Sequence, residues 1–116
     1  MLSTSDVLDR HLASFGKLDM EGLLADYSPE VVFFTPSGPL KGPGPIQRFF
    51  ETLVSEFGKP SASFTMLHRS VEGDNAYIIW SAETAENSSE FATDTFLVRN
   101  GKIVAQPFAA KIRSKR

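Results

Sequence analysis

The stretch from Val31 to Phe57 constrains this chain more than any other. Val31-Val32-Phe33-Phe34 reads as an apolar strand that stops at Pro36, because proline has no N–H to give to a ladder. A Pro/Gly-rich turn follows, and Pro45 suits the first turn of a helix. From there Ile46, Phe49, Phe50, Leu53, Val54 and Phe57 recur at helical spacing until Gly58 and Pro60 end the run. Two helical patterns precede this unit and several strand patterns follow it. That order predicts an α+β fold: a curved, mainly antiparallel sheet closed into a cone by three helices, with a pocket between the layers.

Ser3 or Ser5 can cap the first helix, whose inward stripe is Leu8, His11, Leu12 and Phe15, and Gly16 ends it. Asp19 caps a short second helix expected to carry Leu23, Leu24 and Tyr27, closed by Ser28-Pro29. After Pro60 the period changes to two. Phe64, Met66 and His68 are expected on one face of a strand, with Glu72-Gly73-Asp74-Asn75 as the next turn. Ala76 to Glu83 is apolar in both phases and is expected to be covered on both faces. The last two strands, Phe91 to Arg99 and Lys102 to Ile112, flank Asn100-Gly101, a strong hairpin signal. No repeat, linker or second domain interrupts residues 1–116.

The hairpin sets a register. Val98 is expected opposite Ile103, Phe96 opposite Ala105 and Asp94 opposite Pro107. One face then holds Ala92, Asp94, Phe96, Val98, Ile103, Ala105 and Pro107. The other holds Thr93, Thr95, Leu97, Val104, Gln106 and Phe108, a mixed face suited to pairing with a second copy. Asp94 is the single carboxylate on the apolar face, where desolvation disfavours its charge. If the first helix covers that face, His11 comes within reach of Asp94, and each supplies what the other lacks. Tyr27 and Trp80 can offer a donor to a ligand, Thr35 can reach the cavity from the strand end, and Phe50 and Phe96 can wall it.

Composition limits the alternatives. Hydrophobic residues make up 41% of 116 residues and ten are Phe, enough for a core and for an apolar cavity. A net charge of −2 argues against nucleic acid as partner, and zero Cys fits a cytoplasmic protein without thiolate chemistry. No signal or membrane-spanning run is legible. Neither the glycines nor the two His make a phosphate loop, a nucleotide fingerprint or a metal spacing, so neither cofactor nor metal is expected.

The segments Phe15 to Leu24, Val31 to Phe50, Asp94-Thr95-Phe96 and Asn100-Gly101-Lys102-Ile103 together make the chain resemble the SnoaL-like and ketosteroid-isomerase-like proteins of the nuclear transport factor 2 superfamily. The resemblance spans nearly the whole chain. It implies a cone with an apolar pocket, homodimers, and acid/base isomerase or cyclase chemistry on a small apolar or aromatic carbonyl compound. The family's acidic oxyanion-hole residue matches Asp94, its helix-1 phenol falls at His11, and its catalytic base falls at Thr35. A Thr hydroxyl does not shuttle protons at neutral pH without strong activation. Two function classes follow: an enzyme using Asp94 and His11, or a non-catalytic module that binds a ligand or fills the pocket with its own Phe side chains.

Overall fold

The computed structural model describes residues 2–115. Its order is α1 (Thr4–Gly16), α2 (Met20–Ala25), β1 (Tyr27–Thr35), β2 (Gly38–Lys41), α3 (Pro43–Phe57), β3 (Ser63–Glu72), β4 (Asn75–Glu83), β5 (Asn87–Arg99) and β6 (Lys102–Ser114). The strands form one mixed sheet in the order β2-β1-β6-β5-β4-β3, antiparallel except where β1 runs parallel to β6. The helices lie over one face, as the α+β reading expected.

Local chemistry accounts for the helix ends. Ser3 and Asp6 form a capping box at α1, and Asp19 caps α2 by accepting from the Gly22 N–H. In α3 Pro43 and Pro45 occupy the first turn, where missing N–H groups cost nothing, so the helix starts two residues earlier than expected. The core joins Val7 and Leu8 of α1, Leu23 of α2, Ile46 and Phe50 of α3, and the inward side chains of the sheet.

Four expectations are corrected. Helix α2 stops at Ala25, and Tyr27 opens β1 rather than closing the helix. The Pro/Gly turn contains a short strand, β2, paired with the end of β1. A bulge between Met66 and His68 sends His68 to the opposite face from Met66, beside Tyr77. Strand β4 is covered on one face only, since Tyr77 is exposed.

The hairpin register holds at Val98–Ile103 and then slips. Leu97, not Phe96, stands opposite Ala105, and Asp94 faces Phe108 rather than Pro107. One extra β6 residue is accommodated there, so β6 exchanges its faces beyond Ile103. Gln106 and Phe108 therefore turn inward with Asp94, while Ala105 and Pro107 turn outward with Leu97.

Candidate functional site

The inner face of the sheet and the undersides of α1 and α3 enclose a cavity of about 70 Å³. Its wall is aromatic and aliphatic, with Phe33, Phe49, Phe50, Phe96, Trp80 and Phe108 prominent. Among the described residues, only His11, Asp94 and Gln106 add polar side chains, besides the indole of Trp80. Leu12, Phe15, Phe57 and Phe64 form the wall between it and a groove of about 260 Å³ beside α1 and β3. On the other side, Trp80 and Phe108 are nearly parallel, 6.4 Å apart with 16° between their planes.

Asp94 is 7% exposed, on the inward phase of β5. Its Oδ2 accepts from the Trp80 indole N–H at 2.8 Å and its Oδ1 from the Gln106 amide at 2.9 Å. Burial pushes its pKa up to about 6, against the pull of those two hydrogen bonds. A carboxyl poised there exchanges protons readily near neutral pH.

His11 faces inward from α1, but its carboxylate is not Asp94. The expected direct pair is corrected: His11 Nδ1 lies 2.9 Å from Oδ2 of Asp26, in the link between α2 and β1. Asp26 is 1% exposed, and its Oδ1 accepts from Arg10 Nε at 2.6 Å. Burial alone would raise the Asp26 pKa; the His11 bond and charge, with Arg10, outweigh it and hold it below the ordinary value. An ionised carboxylate is acceptor only, so Nδ1 of His11 carries a proton.

The two carboxylates are connected all the same. Tyr27 Oη lies 3.2 Å from His11 Nε2 and donates to Gln106 Oε1 at 2.6 Å. The buried sequence is Asp26–His11–Tyr27–Gln106–Asp94, with five members from α1, the α2–β1 link, β1, β6 and β5. Burial, with Asp94 and Asp26 nearby, raises the Tyr27 pKa far above its ordinary value, so the phenol keeps its proton.

Of the sequence candidates, Asp94, His11, Phe50, Trp80 and Phe96 lie on the cavity wall. Tyr27 stands in the polar chain, bonded to His11 and Gln106. Thr35 does not reach the cavity; its hydroxyl donates to the Gly38 carbonyl and accepts from the Ser37 N–H, pinning the β1–β2 turn. Sequence reasoning missed Arg10, Asp26 and Gln106. A polar Gln inside the apolar run Ile103 to Phe108 was the available signal for the last.

Among the described residues, no group of three His, Cys, Asp or Glu side chains could hold a metal ion, and no helix is long and apolar enough to cross a membrane. Several solved structures share this fold at low identity. An NTF2-like protein of unknown function from Burkholderia pseudomallei superposes with TM-score 0.80 at 13% identity, over 96% of this chain and 92% of that one. A provisionally assigned polyketide cyclase from Sinorhizobium meliloti gives 0.74 at 18%, over 89% and 93%. TerC co-crystallised with polyporic acid gives 0.74 at 17%, over 93% and 91%. The chain has no match among curated proteins. A family model described as SnoaL-like domain matches residues 8–106, and the chain belongs to that family.

Proposed function

We propose that this protein binds a small apolar or aromatic carbonyl compound in the cavity and catalyses an acid/base isomerisation or cyclisation through Asp94. One observation carries the reading: a buried carboxyl, fixed by two donors in an aromatic wall, with its pKa pushed up to about 6. As carboxylate it takes a proton from carbon next to the carbonyl; as acid it returns it. The aromatic wall excludes water and stacks on a flat ligand. Polyporic acid in TerC and the cyclase assignment of the Sinorhizobium protein support the ligand class on this shared fold. Trp80 both bonds Asp94 and faces the ligand, Phe50 and Phe96 shape the wall, and His11 completes the polar end.

A second reading rests on volume. At about 70 Å³ the cavity is below the few hundred Å³ of an ordinary ligand pocket, so a ligand needs wall side chains such as Phe15 and Phe64, shared with the adjoining groove, to part. A protein whose own rings fill the cone would bind without turnover.

The single tryptophan is Trp80, so its fluorescence reports ligand directly. A panel of one- and two-ring aromatic ketones is expected to quench it. The same ligands, followed by NMR in D2O, are expected to exchange hydrogen next to the carbonyl, with the rate rising as pH passes through about 6. Asp94→Asn is expected to bind and to lose exchange at least a hundredfold. Quenching without exchange in the wild type would establish the binding module instead, and undiminished exchange in Asp94→Asn would remove Asp94 from the chemistry.

A further inference from the structure

The donors and acceptors along the buried chain give it a direction. Ionised Asp94 offers only acceptors, so Gln106 must turn its N–H toward Oδ1. That places Gln106 Oε1 against Tyr27, and a 2.6 Å contact between two oxygens needs a proton between them. Tyr27 has one proton and spends it there. Its oxygen can then only accept from His11 Nε2, while Nδ1–H of the same ring is committed to Asp26. Every donor and acceptor is satisfied when His11 is an imidazolium.

We propose that Gln106 and Tyr27 are positioning residues that tie the protonation of His11 to that of Asp94, two wall groups that share no hydrogen bond. A protonated Asp94 opens a second fully satisfied arrangement. Its O–H donates to Gln106 Oε1, the turned amide N–H donates to Tyr27, and the Tyr27 O–H donates to Nε2 of a neutral His11. The two arrangements hold the same number of protons. An amide does not pass protons, so orientation is what travels along the chain, and protons reach each end separately. The cavity thus presents carboxylate with imidazolium, or carboxylic acid with neutral imidazole.

Apolar side chains pack around the polar chain. From α1 the facing charged or titratable groups are Arg10 and His11; Asp26 comes from the α2–β1 link, Tyr27 from β1 and Asp94 from β5. Helix α3 presents Phe49 and Phe50, and β4 presents Ile78 and Trp80. The coupling stands on the ligand-free geometry, and its use in turnover rests on the acid/base reading above.

Asp94→Asn tests the direction. The Trp80 N–H is donor only, so it holds the new side-chain oxygen and turns the new NH2 toward Gln106. The amide must then present its oxygen to Asn, its N–H to Tyr27, and Tyr27 must donate to His11. Ring 15N spectra of the ligand-free protein are expected to show a proton on Nε2 of His11, the nitrogen facing Tyr27, in the wild type. In Asp94→Asn at the same pH that Nε2 proton is expected to be lost, leaving the Nδ1–H tautomer bonded to Asp26, while exposed His68 serves as internal control. In a Tyr27→Phe background the same substitution is expected to leave His11 unchanged. If that double variant does not fold, Gln106→Leu supplies the broken chain. An unchanged His11 in Asp94→Asn would overturn the coupling. A shift that persists with the chain broken would assign it to through-space charge and overturn the roles of Tyr27 and Gln106. Neither outcome depends on whether a substrate turns over.

Discussion

Asp94 and Asp26 belong to one polar chain, yet the protein pulls their ionisation in opposite directions. The Asp94 pKa is raised from 3.8 to about 6, so the native state binds its proton more tightly than the unfolded chain does. That stability is complete below pH 3.8 and is lost as pH rises through about 6. The Asp26 pKa is lowered, so its contribution is complete above 3.8 and is lost as pH falls through the folded value. For these two groups, stability is greatest near pH 4. Asp94→Asn is therefore expected to raise stability at pH 7.5 by at most about 3 kcal/mol, and to change it little at pH 4. Asp26→Asn is expected to lower stability by about 2 kcal/mol at pH 7.5 and progressively less below pH 4, since His11 and half-exposed Arg10 lose their shared acceptor. Thermal melts across pH 3.5 to 8 check both signs. Asp94 was legible in the sequence because strand alternation put one carboxylate among apolar neighbours. Asp26 was not, because the turn after α2 carries no periodicity to aim a side chain.

At the level of elements, period and caps were readable and bulges were not. The Val98–Ile103 pairing follows from Asn100-Gly101 alone, a local turn preference. The extra residue just beyond Ile103 leaves no such mark, because Ile103, Val104 and Ala105 suit either face of a strand. One slip hid Gln106 and Phe108 and displayed Ala105 and Pro107 in their place. Helical glycines separate the same two kinds of information. Gly16 ends α1 in open space, whereas a Cβ on Gly22 would stand 2.5 Å from Asp19 Oδ2 and 2.6 Å from Ser14 Oγ. Helix propensity alone favours alanine at both positions. Gly16→Ala is expected to stabilise by about 0.5 kcal/mol, and Gly22→Ala to destabilise by about 1 kcal/mol as the Asp19 cap is pushed aside. Urea titrations of the two variants give opposite signs if the packing is as described. Equal gains would mean that Asp19 moves away freely.

At the scale of the whole molecule, the sheet has one face under helices and one face bare. An antiparallel sheet that meets water on its outer side is expected to show polar residues there. The corrected register shows large apolar side chains among the polar ones: Phe34 beside Pro107, Leu97 beside Ala105, and Tyr77 and Ile79 opposite Thr95 and Thr93. Phe34 is 45% exposed and Tyr77 38%. A contiguous patch of this kind on a 116-residue chain is expected to be an interface, and a two-fold pair would satisfy it with one self-complementary surface. A stable pair needs roughly 800 Å² from each partner, which a face crossing β1, β6, β5 and β4 can supply. Such pairing would leave the helices and the groove beside Phe15 and Phe64 free for ligand. Light scattering at micromolar concentration is therefore expected to give twice the 12.8 kDa chain mass. Phe34→Glu with Tyr77→Glu is expected to halve that mass while leaving the far-ultraviolet circular dichroism and the ring 15N spectrum of His11 unchanged. A monomeric wild type would sink the pairing. A dimer that survives both substitutions would place the interface on another face.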